Sequence, residues 1–213
     1  MIRNLLFDIG RVLLSFDLEA TVEELGCYSE RYGPRDFKFE HVFLTGEWEK
    51  METGEMAPEE YFELFREVSG CRISYRHFCL IWRKHFYEIE PMTALGGSLA
   101  RDYKIYFFSN TDPIHVPRLF DRYPACLFFD GLVLSWELGL RKPDPRFFEQ
   151  GLARFGLGRE ECLFIDDKPE NVESARTLGI RSIHYLDPVQ AERDIRRELE
   201  PAGGPRLTTP TGR

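Results

Sequence analysis

Four polar clusters in this sequence carry residue types that can do chemistry together: Asp8, Ser109-Asn110-Thr111, Lys142 and Asp166-Asp167. Three of them directly follow short apolar runs: Leu5 to Phe7, Ile105 to Phe108 and Cys162 to Ile165. Lys142 sits in Gly-Leu-Arg-Lys-Pro-Asp-Pro, after a further run, Leu132 to Leu134, that ends in Ser135. If the runs are strands of one parallel sheet, their carboxyl ends share an edge, where such sheets bind ligands. Carboxylates, a hydroxyl and an ammonium then converge. Paired carboxylates suit a hard cation such as Mg²⁺, which takes oxygen ligands. A cation and a lysine together neutralise a phosphoryl group, and a shielded aspartate can act as a nucleophile. Each cluster alone has a plainer use as a cap, turn or solvated helix start. It is their order, each at a strand end, that makes the pattern specific.

The elements that must position these residues follow from period. Short continuous apolar runs are what strands buried on both faces look like. A weaker fifth run spans Ile183 to Leu186. Helical stripes lie between the runs. Pro145 to Phe155 has apolar residues at 147, 148, 152 and 155, with Asp144 as its expected N-cap. Pro169 to Leu178 begins with proline and meets Gly179 where a helix-ending glycine belongs. Alternating strand and helix predicts an α/β fold with a parallel sheet. Residues 16–92 break the alternation, with amphipathic stretches such as Tyr61, Phe62, Leu64, Phe65 and Val68. We expect a discontinuous α/β core over 1–15 and 93–200, an all-helical insertion over 16–92, and a disordered tail over 201–213.

Composition limits the partners. The 213 residues are 43% hydrophobic, too apolar for a disordered chain. Thirty-six acidic against 28 basic residues give a net charge of −8, which carries no broad footprint for nucleic acid. No apolar run is longer than Ala125 to Phe129, far short of the ~20 residues that span a membrane. The N-terminal apolar stretch is too short for a signal peptide. Five cysteines (27, 71, 79, 126 and 162) show no CxxC, and five histidines show no HxxxH or HxH. Buried reduced thiols and a cytoplasmic location are expected, with no thiolate or histidine metal site.

On these residues the chain resembles the haloacid dehalogenase superfamily, whose members are mostly Mg²⁺-dependent phosphatases. Phe7-Asp8-Ile9-Gly10-Arg11-Val12-Leu13 is similar to its first motif and Phe108-Ser109-Asn110-Thr111 to its second. Gly139 to Pro145 is similar to the third and Phe164 to Asn171 to the fourth, and the match runs to about residue 187. The resemblance implies an α/β core with a doubly wound, Rossmann-like parallel sheet, and the insertion is placed like the family's small helical cap. Gly46-Glu47 through Thr53-Gly54-Glu55 resembles the branch of bacterial sugar-phosphate phosphatases, such as the α-D-glucose-1-phosphate phosphatase kind. The resemblance implies Asp8 as nucleophile and Mg²⁺ ligand, with Lys142 holding the phosphoryl group and screening Asp8. It implies Ser109 and Asn110 as phosphate contacts, and Asp166 with the Gly10 carbonyl as further metal ligands. Asp167 is a supporting partner or a metal contact. Thr111 and Arg11 surround the site, Arg11 reaching the phosphate or the insertion, or only solvent.

Gly10 departs from the pattern. Phosphatases of this superfamily usually place a second Asp there, to protonate the leaving group and then activate water. General acid–base catalysis is worth roughly 10²–10⁴-fold. Glycine at this position recurs in the sugar-phosphatase branch. The expected function is Mg²⁺-dependent hydrolysis of small phosphomonoesters, with sugar phosphates in view, through an aspartyl-phosphate. The expected partner is a small phosphorylated metabolite. The alternative is a phospho-ligand-binding protein with little turnover. A third outcome is another superfamily reaction, such as dehalogenation, against which the Asp166-Asp167 pair stands because it suggests a metal. Trp48 and Trp82 are read as core residues of the insertion, or else as pocket walls. Glu49 and Glu52 share a helix and face the cleft or only water.

Overall fold

The computed structural model describes residues 1–33, 35–116, 120, 122, 123 and 126–200. The tail expected over 201–213 lies outside them. The apolar runs form β1 (Asn4–Phe7), β4 (Lys104–Ser109), β5 (Gly131–Leu134) and β6 (Cys162–Asp166). With β7 (Arg181–His184) they make one sheet in the order β5-β4-β1-β6-β7, and every pairing is parallel. Alternate residues face opposite sides. Leu5, Phe7, Ile105, Phe107, Leu163 and Ile165 pack into one apolar cluster, while Leu6, Phe108 and Phe164 pack into another. Both faces are covered, which is why the strands read as unbroken apolar runs.

Helices close each face. Met92 and Leu95 of α5 (Glu90–Leu99) and Ile195 of α9 (Pro188–Leu199) join the first cluster. Phe147, Phe148 and Leu152 of α7 (Pro145–Phe155) and Ala175 of α8 (Pro169–Thr177) join the second. Asp144 caps α7 as expected, accepting from the Arg146 N–H at 2.9 Å. A four-residue helix, α6 (Ser135–Leu138), follows β5.

Residues between β1 and α5 build most of a third apolar cluster, including Val22, Phe43, Met51, Tyr61, Phe65, Phe78 and Trp82, which Ile114 joins from the loop after β4. It is built by α1 (Leu18–Gly26), α2 (Glu47–Glu52), α3 (Pro58–Ser69) and α4 (Tyr75–Trp82). The region is not wholly helical. β2 (Leu14–Phe16) pairs antiparallel with β3 (Phe86–Glu88), tying the entry of the region to its exit. β3 is only three residues long and half-exposed, so it leaves no apolar run to read. β7 also differs from expectation. It ends at His184, and Leu186 is exposed in the turn before the Asp187 cap of α9. Cys27 is exposed, against expectation, whereas Cys71, Cys79, Cys126 and Cys162 are buried. Among the described residues no helix is long and apolar enough to cross a membrane.

Candidate active site

β1 lies between β4 and β6, so the carboxyl ends of all three open on one crevice. The Asp8 N–H donates to the Ile165 carbonyl at 2.9 Å, and Asp8 Oδ1 accepts from the Ile9 N–H at 2.8 Å. Asp8 is thus fixed at the floor of a cavity of about 330 Å³.

Lys142 is only 2% exposed, and a lysine so buried must be paired. Its Nζ donates to the Phe108 carbonyl at 2.7 Å and to Asp166 Oδ2 at 2.6 Å, and lies 3.0 Å from Asp8 Oδ1. Two hydrogen bonds and one ion-pair contact thus surround its ammonium with oxygen. Two features aim it. Gly139, at φ +67°, ends α6 in the left-handed conformation that glycine adopts without strain. Asn110 then clamps the loop: its Nδ2 donates to the Lys142 carbonyl and its Oδ1 accepts from the Lys142 N–H, both at 2.8 Å. The Asn110 amide is therefore committed to positioning Lys142, and what Asn110 can offer a phosphate is its backbone. Ser109 is buried and lines the cavity. Thr111 is tied to Ser135, whose Oγ accepts from its N–H at 2.9 Å and donates to its carbonyl at 3.0 Å.

Asp166 is fully engaged. Its Oδ1 accepts from the Lys168 N–H and from Asn171 Nδ2, at 2.8 and 2.9 Å. Asp8, Asp166 and Asp167 each offer a carboxylate oxygen within 4.8 Å of the others, which groups Asp167 with the candidate metal ligands. When all three carboxylates are ionised they outnumber the one ammonium by two charges. Burial pushes the Asp8 carboxyl up to about 7; Lys142 pulls it down, and Asp166 adds to the rise. Asp167 is raised by burial and by Asp166. Burial alone would lower Lys142, but Asp166 and Asp8 outweigh it and hold its ammonium charged. Beside them, Asn171 Oδ1 is buried with no hydrogen-bond partner among the described residues. An all-oxygen donor set, surplus negative charge and an orphaned amide oxygen together fit Mg²⁺ or the water it carries. Gly10 lines the same cavity.

Arg11 is exposed at the cavity edge, with φ +59° and its guanidinium 5.3 Å from the Phe16 ring centre. Trp82 is both core and wall: it is buried, and its Nε1 donates to Asp112 Oδ2 at 3.2 Å. Trp48 also lines the cavity. Glu49 and Glu52 diverge. Glu49 accepts from the Gly46 N–H at 2.7 Å and caps α2, whereas Glu52 is buried and lines the cavity.

Sequence reasoning missed Asp112, His115, Arg141 and the role of Asn171. Asp112 is 1% exposed and accepts from Trp82 and from the His115 and Ile114 N–H groups; its Oδ2 lies 2.7 Å from His115 Nδ1. Burial would raise its carboxyl, but His115 and Trp82 outweigh this and hold it below the usual range. The available signal was a carboxylate one residue beyond Ser-Asn-Thr. Arg141 and Asn171 lay inside recognised motifs without a role.

Residues 75–179 match the family model of the haloacid dehalogenase-like hydrolases. The D-ribitol-5-phosphate phosphatase of Bacteroides thetaiotaomicron is 25% identical over 193 residues, 85% of this chain and 91% of that protein. The sesquiterpene phosphatase AstK of Aspergillus oryzae is 25% identical over 201 residues, 90% of this chain and 94% of that protein. A HAD family enzyme from B. thetaiotaomicron, solved with magnesium and inorganic phosphate, superposes with a TM-score of 0.74 at 26% identity. That likeness covers 87% of this chain and 95% of that one. With its motifs on these strand ends and a likeness to these proteins over nearly its whole length, this chain belongs to the haloacid dehalogenase-like hydrolases.

Proposed function

We propose that the chain is a Mg²⁺-dependent phosphatase of small phosphomonoesters, sugar and polyol phosphates among them, working through an aspartyl-phosphate on Asp8. The observation that carries this is the convergence of three carboxylates within 4.8 Å on one buried, triply engaged lysine. Asp8, Asp166, the Gly10 carbonyl and the neighbouring Asp167 would hold the cation, which supplies charge neutralisation of the phosphoryl oxygens. An Asp8 carboxylate oxygen attacks phosphorus while the bond to the leaving oxygen breaks. Lys142 and Ser109 face the transferring group from the floor. Water then attacks phosphorus, which frees phosphate and restores the Asp8 carboxylate. The helical region over 16–92 serves as the cap that encloses the substrate, over the core of 1–15 and 93–200.

Gly10 supports a second reading, in which the protein holds a phosphorylated ligand and turns over slowly. No side chain at this position can carry a proton. A Cβ built there would lie 3.3 Å from Phe16 Cε1, so the Phe16 ring occupies the approach. On the first reading, substrates whose leaving group needs little protonation, such as an anomeric phosphate, are preferred.

Phosphate release from p-nitrophenyl phosphate with Mg²⁺ tests both. The phosphatase reading expects release that EDTA stops and Asp8→Asn lowers at least ~10³-fold. Activity retained in Asp8→Asn would remove Asp8 as nucleophile. Negligible release across a phosphate panel, with ligand-induced stabilisation, favours the binding reading.

A further inference from the structure

Two polar atoms in the cavity wall are left out of the hydrogen bonding that satisfies the floor. Trp48 Nε1 and Glu52 Oε2 are buried and have no hydrogen-bond partner among the described residues. They lie on one helix, α2, four residues apart, and therefore on one face of it. Both residues line the cavity. One atom is a donor and the other an acceptor. Glu52 is 5% exposed, so solvent does not serve its carboxylate. Arg141, which directly precedes Lys142 and also lines the cavity, brings Nη2 to 3.0 Å from Glu52 Oε2. That is a charge contact without hydrogen-bond alignment, so Oε2 has not been given a proton. Buried polar groups without partners call for a physical account, and a bound ligand is one.

The helix that carries the pair is pinned. Gly54, at φ +71°, follows α2, and a Cβ there would lie 2.5 Å from the Trp136 carbonyl oxygen. Only glycine lets α2 approach α6 so closely. The pair is thus presented at a fixed place over the floor, among the rings of Phe16, Phe43, Trp82 and Phe86. Aromatic faces with a few placed polar groups suit a ligand with apolar C–H faces and hydroxyl edges.

We infer that Trp48 and Glu52, with Arg141 beside them, form a hydroxyl-binding subsite for the leaving group, which selects phosphomonoesters of polyhydroxylated chains or rings. A ligand hydroxyl donates to Glu52 Oε2 and accepts from the Trp48 indole N–H. Arg141 holds the Glu52 carboxylate in place and opposes the burial that raises its pKa. This rests on the phosphatase reading for the word leaving group, but the binding chemistry stands apart from turnover.

The test compares ribitol 5-phosphate with n-pentyl phosphate, which has the same carbon chain length and lacks the hydroxyls. The readout is the ratio of their kcat/KM values in wild type, Glu52→Gln and Trp48→Phe. Wild type should favour the polyol phosphate. Glu52→Gln should lower the ratio ~10- to 100-fold, as for loss of a hydrogen bond to a charged group, and Trp48→Phe ~3- to 10-fold. A wild type that favours the alkyl phosphate overturns the inference. So does a ratio that stays within about twofold in both variants while thermal stability falls, because that is how a purely structural ion pair behaves. Calorimetric affinity for the same two ligands gives the ratio without turnover. A protein that releases no phosphate would thus sink the phosphatase reading while leaving the subsite decided.

Discussion

The floor and the roof of the cavity solve opposite problems. On the floor, set by the ends of β1, β4 and β6, nearly every charge is spoken for: Lys142 by three oxygens, Asp166 by three donors, the Asn110 amide by the Lys142 backbone. On the roof, α2 brings polar groups to the cavity and leaves them without hydrogen-bond partners. A preorganised floor acts on what every phosphate ester shares, at no cost of reorganisation. An unsatisfied roof costs stability, at about 1–3 kcal/mol for a stranded group such as the Trp48 N–H, and suits whatever differs between esters. One floor atom breaks the rule, Asn171 Oδ1, and it sits where a cation or its water would use it.

Breaking the floor should have the largest effect. Lys142→Met leaves two buried carboxylates without their cation, a loss of about 3–5 kcal/mol when one partner of a buried pair is removed. Melting in EDTA should show that loss, Mg²⁺ should restore part of it, and phosphate release should fall at least ~10³-fold. A variant as stable as wild type without metal would mean that the lysine is not what holds the carboxylates together.

Gly10→Asp sharpens the comparison from the other side. It puts a proton-transfer group at the edge of the floor, against the Phe16 ring. If that group is what limits turnover, kcat for an alkyl phosphate should rise up to ~10²-fold relative to p-nitrophenyl phosphate. An unchanged ratio would show that the protein handles the proton elsewhere.

Asp112 belongs to neither surface, because it ties them together. It sits on the loop after β4 and receives Trp82, the last residue of α4. Its folded-state pKa lies below the ordinary 3.8, so it contributes stability above that value and loses it as pH falls through the lower folded one. Asp112→Asn should cost about 1–3 kcal/mol near neutral pH. Melting curves should show the gap to wild type closing below about pH 4. A gap independent of pH would assign the loss to packing. The smallest effect belongs to Arg11→Ala: an exposed guanidinium over Phe16 should change kcat/KM by no more than ~2-fold. A loss above ~10-fold would place Arg11 on the phosphate.

The same contrast explains what was legible in the sequence. Strands covered on both faces must be apolar throughout, so Leu5 to Phe7 and Cys162 to Ile165 announce β1 and β6, and the polar residue after each announces the floor. β3 carries no such burial, and its existence depends on pairing with a segment some 70 residues earlier in the chain. The reach of Asn110 to Lys142 across 32 residues is likewise set by the sheet order, which spacing does not encode. On the roof, the interval from Trp48 to Glu52 shows one helix face. It does not show that Glu49 turns back to cap α2 while Glu52 is buried beside Arg141.

The account depends most on covalent chemistry at Asp8. The direct measurement is acid quenching of the wild-type protein during turnover with Mg²⁺ and p-nitrophenyl phosphate, followed by peptide mass spectrometry. A phosphoryl group on the peptide that contains Asp8, absent when EDTA is added, is the predicted result. Steady phosphate release with no phosphoryl group on that peptide, and with Asp8→Asn still active, would contradict it.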